Sequence, residues 1–280
     1  MTESNVDVIA PVASELKGNS RLVVLLGSPE GTKSPSKKFS TFTGVKKIRK
    51  GLFIVREYSE QHAKILDDQP MISFTKTKEI PVSRKKVADV YSKRAYTMVS
   101  FSFKNPTAQQ KKRVERLIRK TTGVRLRPGV ILFPLFRSKE RRRIIGSDDD
   151  DRVLIDSKEF NKQIRELGGN SIRWSRLKIK NPSGGSHVQE AVEHTLVRDL
   201  SALEEKIRKL RVRSKDDTIP IRQLKKNYTM LSRNFRELKT KWMLTKKLWF
   251  YDAEKALRRT YNMLISTRRI ITLEEARRFD

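Results

Sequence analysis

The sequence predicts an α+β chain. Three observations carry that reading. Between residues 94 and 180, stretches of period two alternate with stretches of helical period in the order βαββαβ. Residues 21–80 repeat some of the same punctuation more faintly, and residues 188–280 show heptad spacing without any strand signal. Residues 1–20 are polar and aperiodic and read as a disordered tail.

The middle region is the sharpest. Met98-Val99-Ser100-Phe101-Ser102-Phe103 alternates as a strand, and Asn105-Pro106-Thr107 stops it and offers a helix cap. Val114, Leu117 and Ile118 then share one helical face, and Gly123 ends the helix. Residues 124–127, the turn Arg127-Pro128-Gly129 and the run Val130-Ile131-Leu132-Phe133 read as a hairpin. Ser157 is expected to cap a second helix, with Phe160, Ile164 and Leu167 inward and Gly168-Gly169 at its end. Residues 171–179 alternate again. Here Ile172, Trp174, Leu177 and Ile179 need a bulge or an end effect to share one face, while Arg173 and Lys178 are expected in solvent. This order is the ferredoxin-like unit, a four-stranded sheet with both helices on one face. The other face is expected to be free for a partner.

Thr43-Gly44-Val45 and Gly51-Leu52-Phe53 echo Thr122-Gly123-Val124 and Gly129-Val130-Ile131, with one residue more between them. Residues 22–26 supply a strand before Pro29, residues 59–66 a helix and residues 71–75 a last strand. Residues 21–80 are thus either a degenerate second ferredoxin-like copy or a small β-rich unit. A true repeat would allow an intramolecular pseudo-dimer, and a homodimer is the other option. The first copy's leading helix would come from the Ser- and Lys-rich residues 33–40.

Pro182-Ser183-Gly184-Gly185-Ser186 reads as a linker, and helices follow. Leu196, Leu200, Leu203, Ile207 and Leu210 form one apolar stripe. Ile221, Leu224, Tyr228, Leu231, Phe235, Leu238 and Trp242 form another beyond the turn at 216–220. A third segment, 253–265, completes an antiparallel hairpin or three-helix bundle.

Charge points to the partner. The 63 Lys and Arg outnumber the 32 Asp and Glu, leaving +31 on 280 residues. Such an excess opposes compaction and calls for a polyanion, most simply nucleic acid. Only 36% of residues are hydrophobic, below the about 45–50% (Gly included) of ordinary domains, so thin cores are expected. Without cysteine there is no disulfide framework and no thiolate zinc site. No signal-peptide pattern or membrane-length apolar run is present, which predicts a soluble cytoplasmic protein with no membrane partner.

The candidate contacts are Lys111, Lys112, Arg113, Arg116, Arg119 and Lys120 on the first sharp helix. Arg125, Arg127, Arg137, Lys139, Arg141, Arg142 and Arg143 extend them along the hairpin and the loop behind it. A second cationic stripe runs from Lys225 and Lys226 through Arg233, Arg236, Lys239, Lys241, Lys246 and Lys247 to Arg258 and Arg259. Other motifs carry less. Gly27-Ser28-Pro29-Glu30-Gly31-Thr32-Lys33 has the wrong spacing for a phosphate loop. Asp148-Asp149-Asp150-Asp151 lacks the calcium-loop pattern and reads as a solvated counterweight to the preceding arginines. His62, His187 and His194 have no partners at metal or catalytic-triad spacing. No catalytic residue, metal or cofactor is expected.

The strand at 98–103, Gly123, Leu132-Phe133-Pro134, the helix from Phe160 to Gly169, and Tyr228, Leu231, Phe235 and Ala256-Leu257 together resemble a known pattern. Over about residues 96–266 the chain resembles the amino-terminal region of the chromate-resistance regulator family ChrB. That resemblance implies a DNA-binding regulator. More distantly, the ferredoxin-like part resembles the small CRISPR spacer-acquisition nucleases and the carboxy-terminal region of PaaX-type repressors. The nucleases hold a metal with an Asp ending their first strand, where this chain has Phe103-Lys104-Asn105 and, in the other repeat, Gly27-Ser28. Cleavage is therefore not expected. Nor is chromate sensing, because the separate sensing domain of the resembled family is not in this sequence. The expected function is non-enzymatic nucleic-acid binding, with DNA favoured over RNA, by a transcription regulator or chromosomal protein. The alternatives are an RNA-binding structural component of a ribonucleoprotein particle and a metal-dependent nuclease.

Overall fold

The computed structural model describes residues 16, 18–26, 39–66, 69–78, 89–135 and 154–279. Among them are eight strands and seven helices, in the α+β class that the sequence predicts. The strands are β1 (Arg21–Leu25), β2 (Val45–Arg49), β3 (Leu52–Val55), β4 (Met71–Lys76), β5 (Ala95–Ser102), β6 (Val124–Arg127), β7 (Val130–Pro134) and β8 (Asn170–Ile179). The helices are α1 (Glu60–Leu66), α2 (Val90–Lys93), α3 (Ala108–Lys120), α4 (Ser157–Glu166), α5 (Gly184–Arg213), α6 (Ile221–Trp249) and α7 (Glu254–Phe279). The chain divides into two compact units, residues 1–192 and 193–280.

The first unit is built on a single antiparallel sheet in the order β2-β3-β1-β4-β8-β5-β7-β6. Each half of this order mirrors the other, and the halves join where Phe74, Thr75 and Lys76 of β4 pair with Ile179, Lys178 and Leu177 of β8. On one face α3 and α4 cover Val99, Phe101, Ile131 and Phe133 with Val114, Ile118, Phe160 and Ile164. Val23, Leu25, Phe39, Phe53 and Val55 cluster with Leu66 of α1 in the other half.

The opposite face was expected to be free, and it is not. Leu22, Val24, Leu52, Ile54, Tyr96, Met98 and Trp174 are all at most 1% exposed. Sheet coiling explains this. Neighbouring strands lie about 4.8 Å apart, so in a flat sheet β6 and β1 would be separated by roughly 24 Å. The guanidinium of Arg127, on β6, nevertheless donates to the Leu25 carbonyl on β1, and Arg49 of β2 donates to Ser102 Oγ and to the Asn170 carbonyl. Diagonal corners of a strongly twisted sheet converge, and the enclosed face becomes core.

Of the two options for the last strand, a bulge or an end effect, the structure has the bulge. Arg176 takes a left-handed φ of 58°, and the β5–β8 register shifts between Tyr96 and Met98. Trp174 thus stands opposite Met98, Leu177 opposite Tyr96 and Ile179 opposite Phe74. Ile172, Trp174, Leu177 and Ile179 are all buried. Lys178 is exposed as expected. Arg173 is instead half-buried, donating to Ser157 Oγ at 3.2 Å, and burial lowers its pKa against the opposing pull of Asp156.

Three local expectations shift. Asp156 caps α4 in place of Ser157, because its carboxylate accepts from both Lys158 N and Glu159 N, at 2.8 and 2.9 Å. The stretch read as a linker is already helical from Gly184. The third helical segment runs to Phe279, well beyond residue 265. Of the residues read as a disordered tail, Leu16 and Ser20 are buried, and 1–15 and 17 lie outside the described residues.

Within residues 193–280 the apolar stripes face inward. Leu196, Leu200, Leu203, Ile207 and Leu210 of α5 are buried, as are Leu224, Leu231, Phe235 and Trp242 of α6 and Leu257 and Leu264 of α7. Polar groups are buried among them in partnered form. Lys241 meets Asp199 at 3.0 Å, and Glu204 accepts from Arg259 at 3.0 Å and from Thr260 Oγ1 at 2.7 Å.

Candidate nucleic-acid interface

Helix α3 presents the predicted cations, and its construction explains why they face outward. Thr107 and Gln110 form a reciprocal capping box, which fixes where the helix begins. Val114 and Ile118 then anchor one side in the core, so Lys111, Lys112, Arg113, Arg116, Arg119 and Lys120 are left exposed. At the near end the Gln110 side chain also ties the helix to the Leu167 carbonyl at 3.0 Å, and at the far end the Thr121 hydroxyl donates to the Ile118 carbonyl at 2.8 Å. The cations thus sit on a rigid, doubly fastened rod.

The electrostatics of this rod are lopsided. Its first turn contains no acidic residue, although a carboxylate there would interact favourably with the helix dipole. Lys111, Lys112 and Arg113 follow at once, with no carboxylate ahead of them in the helix. Among the described residues none of the six cations forms a salt bridge. The dipole favours Arg119 and Lys120 in the last turn, whereas the crowding of like charge at Lys111 to Arg113 adds nothing to stability and would be relieved by an external anion.

The hairpin behind α3 behaves differently. Arg125 is held by Glu115 at 3.0 Å and is only partly exposed. Arg127 is turned inward onto the Leu25 carbonyl, and burial lowers its pKa. These two predicted contacts are therefore engaged within the fold, unlike the six on α3. Arg137, Lys139, Arg141, Arg142 and Arg143 lie outside the described residues, as do Asp148 to Asp151 and the glycine loop from Gly27 to Lys33.

The cationic stripe on α6 and α7 is largely neutralised at close range. Lys225 pairs with Glu275, Arg233 with Glu237, Lys246 with Asp252, Arg258 with Glu254 and Arg259 with Glu204. Lys241 is buried against Asp199. Lys226, Arg236 and Lys239 form no such pair among the described residues, and the side chain of Lys247 is not described. The aromatic residues Trp242 and Trp249 are buried, and Phe250 and Tyr251 half-buried.

Sequence reasoning missed Arg49, which β2 sends across to the far half of the sheet as β6 sends Arg127. The signal was present in the sequence, since Arg49 and Arg127 each stand two residues before a hairpin glycine. It also missed Arg268 and Arg269, which border a groove between α6 and α7. Among the described residues no three His, Asp or Glu side chains gather as a metal site, and no helix is long and apolar enough to cross a membrane. Comparison of the chain with protein-family models, with curated proteins and with solved structures finds no match in any of the three.

Proposed function

We propose that this chain is a non-enzymatic nucleic-acid-binding protein that holds phosphates along the exposed face of α3, with duplex DNA as the favoured partner. A DNA-binding regulator or a chromosomal protein fits that role. The observation that carries the reading is the contrast between two cationic surfaces. Six cations on α3 stand without acidic partners among the described residues, whereas most of the α6 and α7 stripe is paired. Paired charges project a weak field, and unpaired ones attract polyanions.

We read each half of the sheet as a ferredoxin-like unit, and the two as an intramolecular pseudo-dimer. The mirrored strand order and the β4–β8 junction support this. The three helices of the second unit are read as a bundle. One copy of the pair supplies the phosphate-binding helix, and phosphate contacts of this kind position a complex without reading bases.

The test is fluorescence anisotropy with a labelled DNA duplex over a salt series. If six to ten phosphates are contacted, affinity should fall on the order of 10³ to 10⁵ fold between about 50 and 200 mM salt. Replacing Lys112, Arg116 and Arg119 by Ala should weaken binding for every sequence alike. The log–log salt slope should flatten by about 0.9 for every phosphate left without its cation. A flat salt response, or a triple variant that binds as well as the parent, overturns the reading. Structured RNA that outcompetes the duplex moves the protein to a ribonucleoprotein particle, and cleavage on adding magnesium makes it a nuclease.

A further inference from the structure

We propose that the groove between α6 and α7 is a docking site for an acidic amphipathic helix of a partner protein. The groove has a volume of about 950 Å³. Its α7 wall runs from Tyr261 to Leu273, about 18 Å at 1.5 Å per residue, which matches three turns of a second helix. Phe235 and Leu264 form a buried floor, while Tyr261 is 51% and Leu273 69% exposed. Side chains of this size left open beside a floor already apolar mark a surface awaiting cover.

Charge selects the occupant. Arg236, Lys239, Arg268 and Arg269 border the groove, all exposed, and no Asp or Glu lines it. The general basicity of the chain does not account for this, because residues 193–280 contain carboxylates and place them elsewhere. Glu237, Glu254 and Glu275 pair with Arg233, Arg258 and Lys225, none of which lines the groove. An apolar floor between two uncompensated cationic rims is complementary to a helix with leucine-like residues on one face and Glu or Asp beside them.

Other occupants fit less well. A second copy would bring its own cations against these. Nucleic acid would meet the aliphatic Leu264, Ile265 and Leu273, which offer no stacking surface; of the three lining rings, Phe235 and Tyr261 already stack on each other at 5.8 Å and Tyr228 is half-buried. This site and the α3 surface involve different residues, so either assignment can fail without the other.

The experiment uses the full chain and a fluorescent peptide of roughly 15 residues, the length at which isolated helices begin to form. The peptide is made of Leu, Glu and Ala, with Leu at i, i+3, i+4 and i+7. A scrambled peptide of the same composition controls for charge. The patterned peptide should bind at least about tenfold more tightly than the scrambled one, because only it presents an apolar face. Arg268→Glu combined with Arg269→Glu should weaken it by about tenfold or more, as should Leu273→Glu alone. These positions are exposed, and unchanged far-ultraviolet dichroism would show that the variants still fold. Equal binding of both peptides, or undiminished binding by the variants, overturns the proposal. So does a single-stranded oligonucleotide whose binding the Arg268 and Arg269 variants abolish while the peptide still binds.

Discussion

Residues 21–76 and 95–179 each contribute four strands to one sheet in mirrored order, yet they do so with different amounts of material. β1 and β4 have 5 and 6 residues, against 8 and 10 in their counterparts β5 and β8. The hairpin corners are nearly superposable in their bonding. Leu25 N donates to the Gly51 carbonyl at 2.9 Å, and Phe101 N to the Gly129 carbonyl at 2.8 Å. Both hairpin glycines take a left-handed φ, and both hairpins send an arginine to the opposite half. The difference teaches that strand order follows from a few turn residues and bulges, and that strand length adds apolar area and leaves that order unchanged. The longer half also carries the well-capped basic helix α3.

The largest expected effect tests whether the halves share stability. Phe160→Ala removes a ring packed against Phe101 and Phe133 and should cost about 3–5 kcal/mol. Leu66→Ala, in the shorter half, should cost about 2–5 kcal/mol. If the sheet is one cooperative body, each variant moves a single denaturant transition of the first unit. Two separated transitions within that unit would show that the halves fold independently and that the β4–β8 junction is weak.

The next effect sharpens the corner comparison. A Cβ on Gly129 would lie 2.6 Å from the Phe101 carbonyl oxygen, which is backbone and cannot withdraw cheaply. On Gly51 its nearest neighbour would be the Arg127 guanidinium, the end of a long side chain that can swing aside at the loss of its bond to the Leu25 carbonyl. Both substitutions carry the left-handed cost of roughly 1–2 kcal/mol. Gly129→Ala should therefore be the more damaging, and thermal melts giving the opposite order would show the corners are not built alike. Arg127→Ala should follow at roughly 1–2 kcal/mol, since it removes a charged donor from the Leu25 carbonyl at a half-buried site. Arg49→Ala should do similar damage at the other corner; a silent Arg49 variant would confine the crossing contact to one half.

The smallest expected effect on folding lies on α3. Arg116→Ala with Arg119→Ala touches only exposed side chains and should change stability by no more than about 0.5 kcal/mol. Its consequence should appear in DNA affinity alone. A large loss of stability would mean that these arginines support the helix and that the longer half carries no specialised surface.

Much of this organisation was legible in the chain. The period-two stretches, the Thr107 cap and the left-handed glycines at Gly129 and Gly168 are local signals, and they foretold where the strands and helices of the longer half lie. The apolar stripes of α5 and α6 were equally readable, because Leu200, Ile207, Leu224 and Leu231 recur at helical spacing whatever they pack on. The exposure of Lys111 to Lys120 also followed, since Val114 and Ile118 leave the helix only one side to bury. Gly184 and Gly185 misled because glycine pairs ordinarily break helices. Here added side chains would press Ile179, Asn181 and Ser92, so the glycines serve close approach.

The sequence by itself determined the α+β class, the strength of the positive charge and the sidedness of its helices, because periodicity and composition act over a few residues at a time. Only the tertiary structure decided which charges stay unpaired and which sheet face is covered. Arg127, Arg173 and Lys241 read alike as basic residues on amphipathic segments, yet each is turned inward by a partner distant in the chain. The second sheet face was expected to be open because four strands alone would leave it so. It is core because eight strands, joined edge to edge and coiled by their twist, bring opposite corners together.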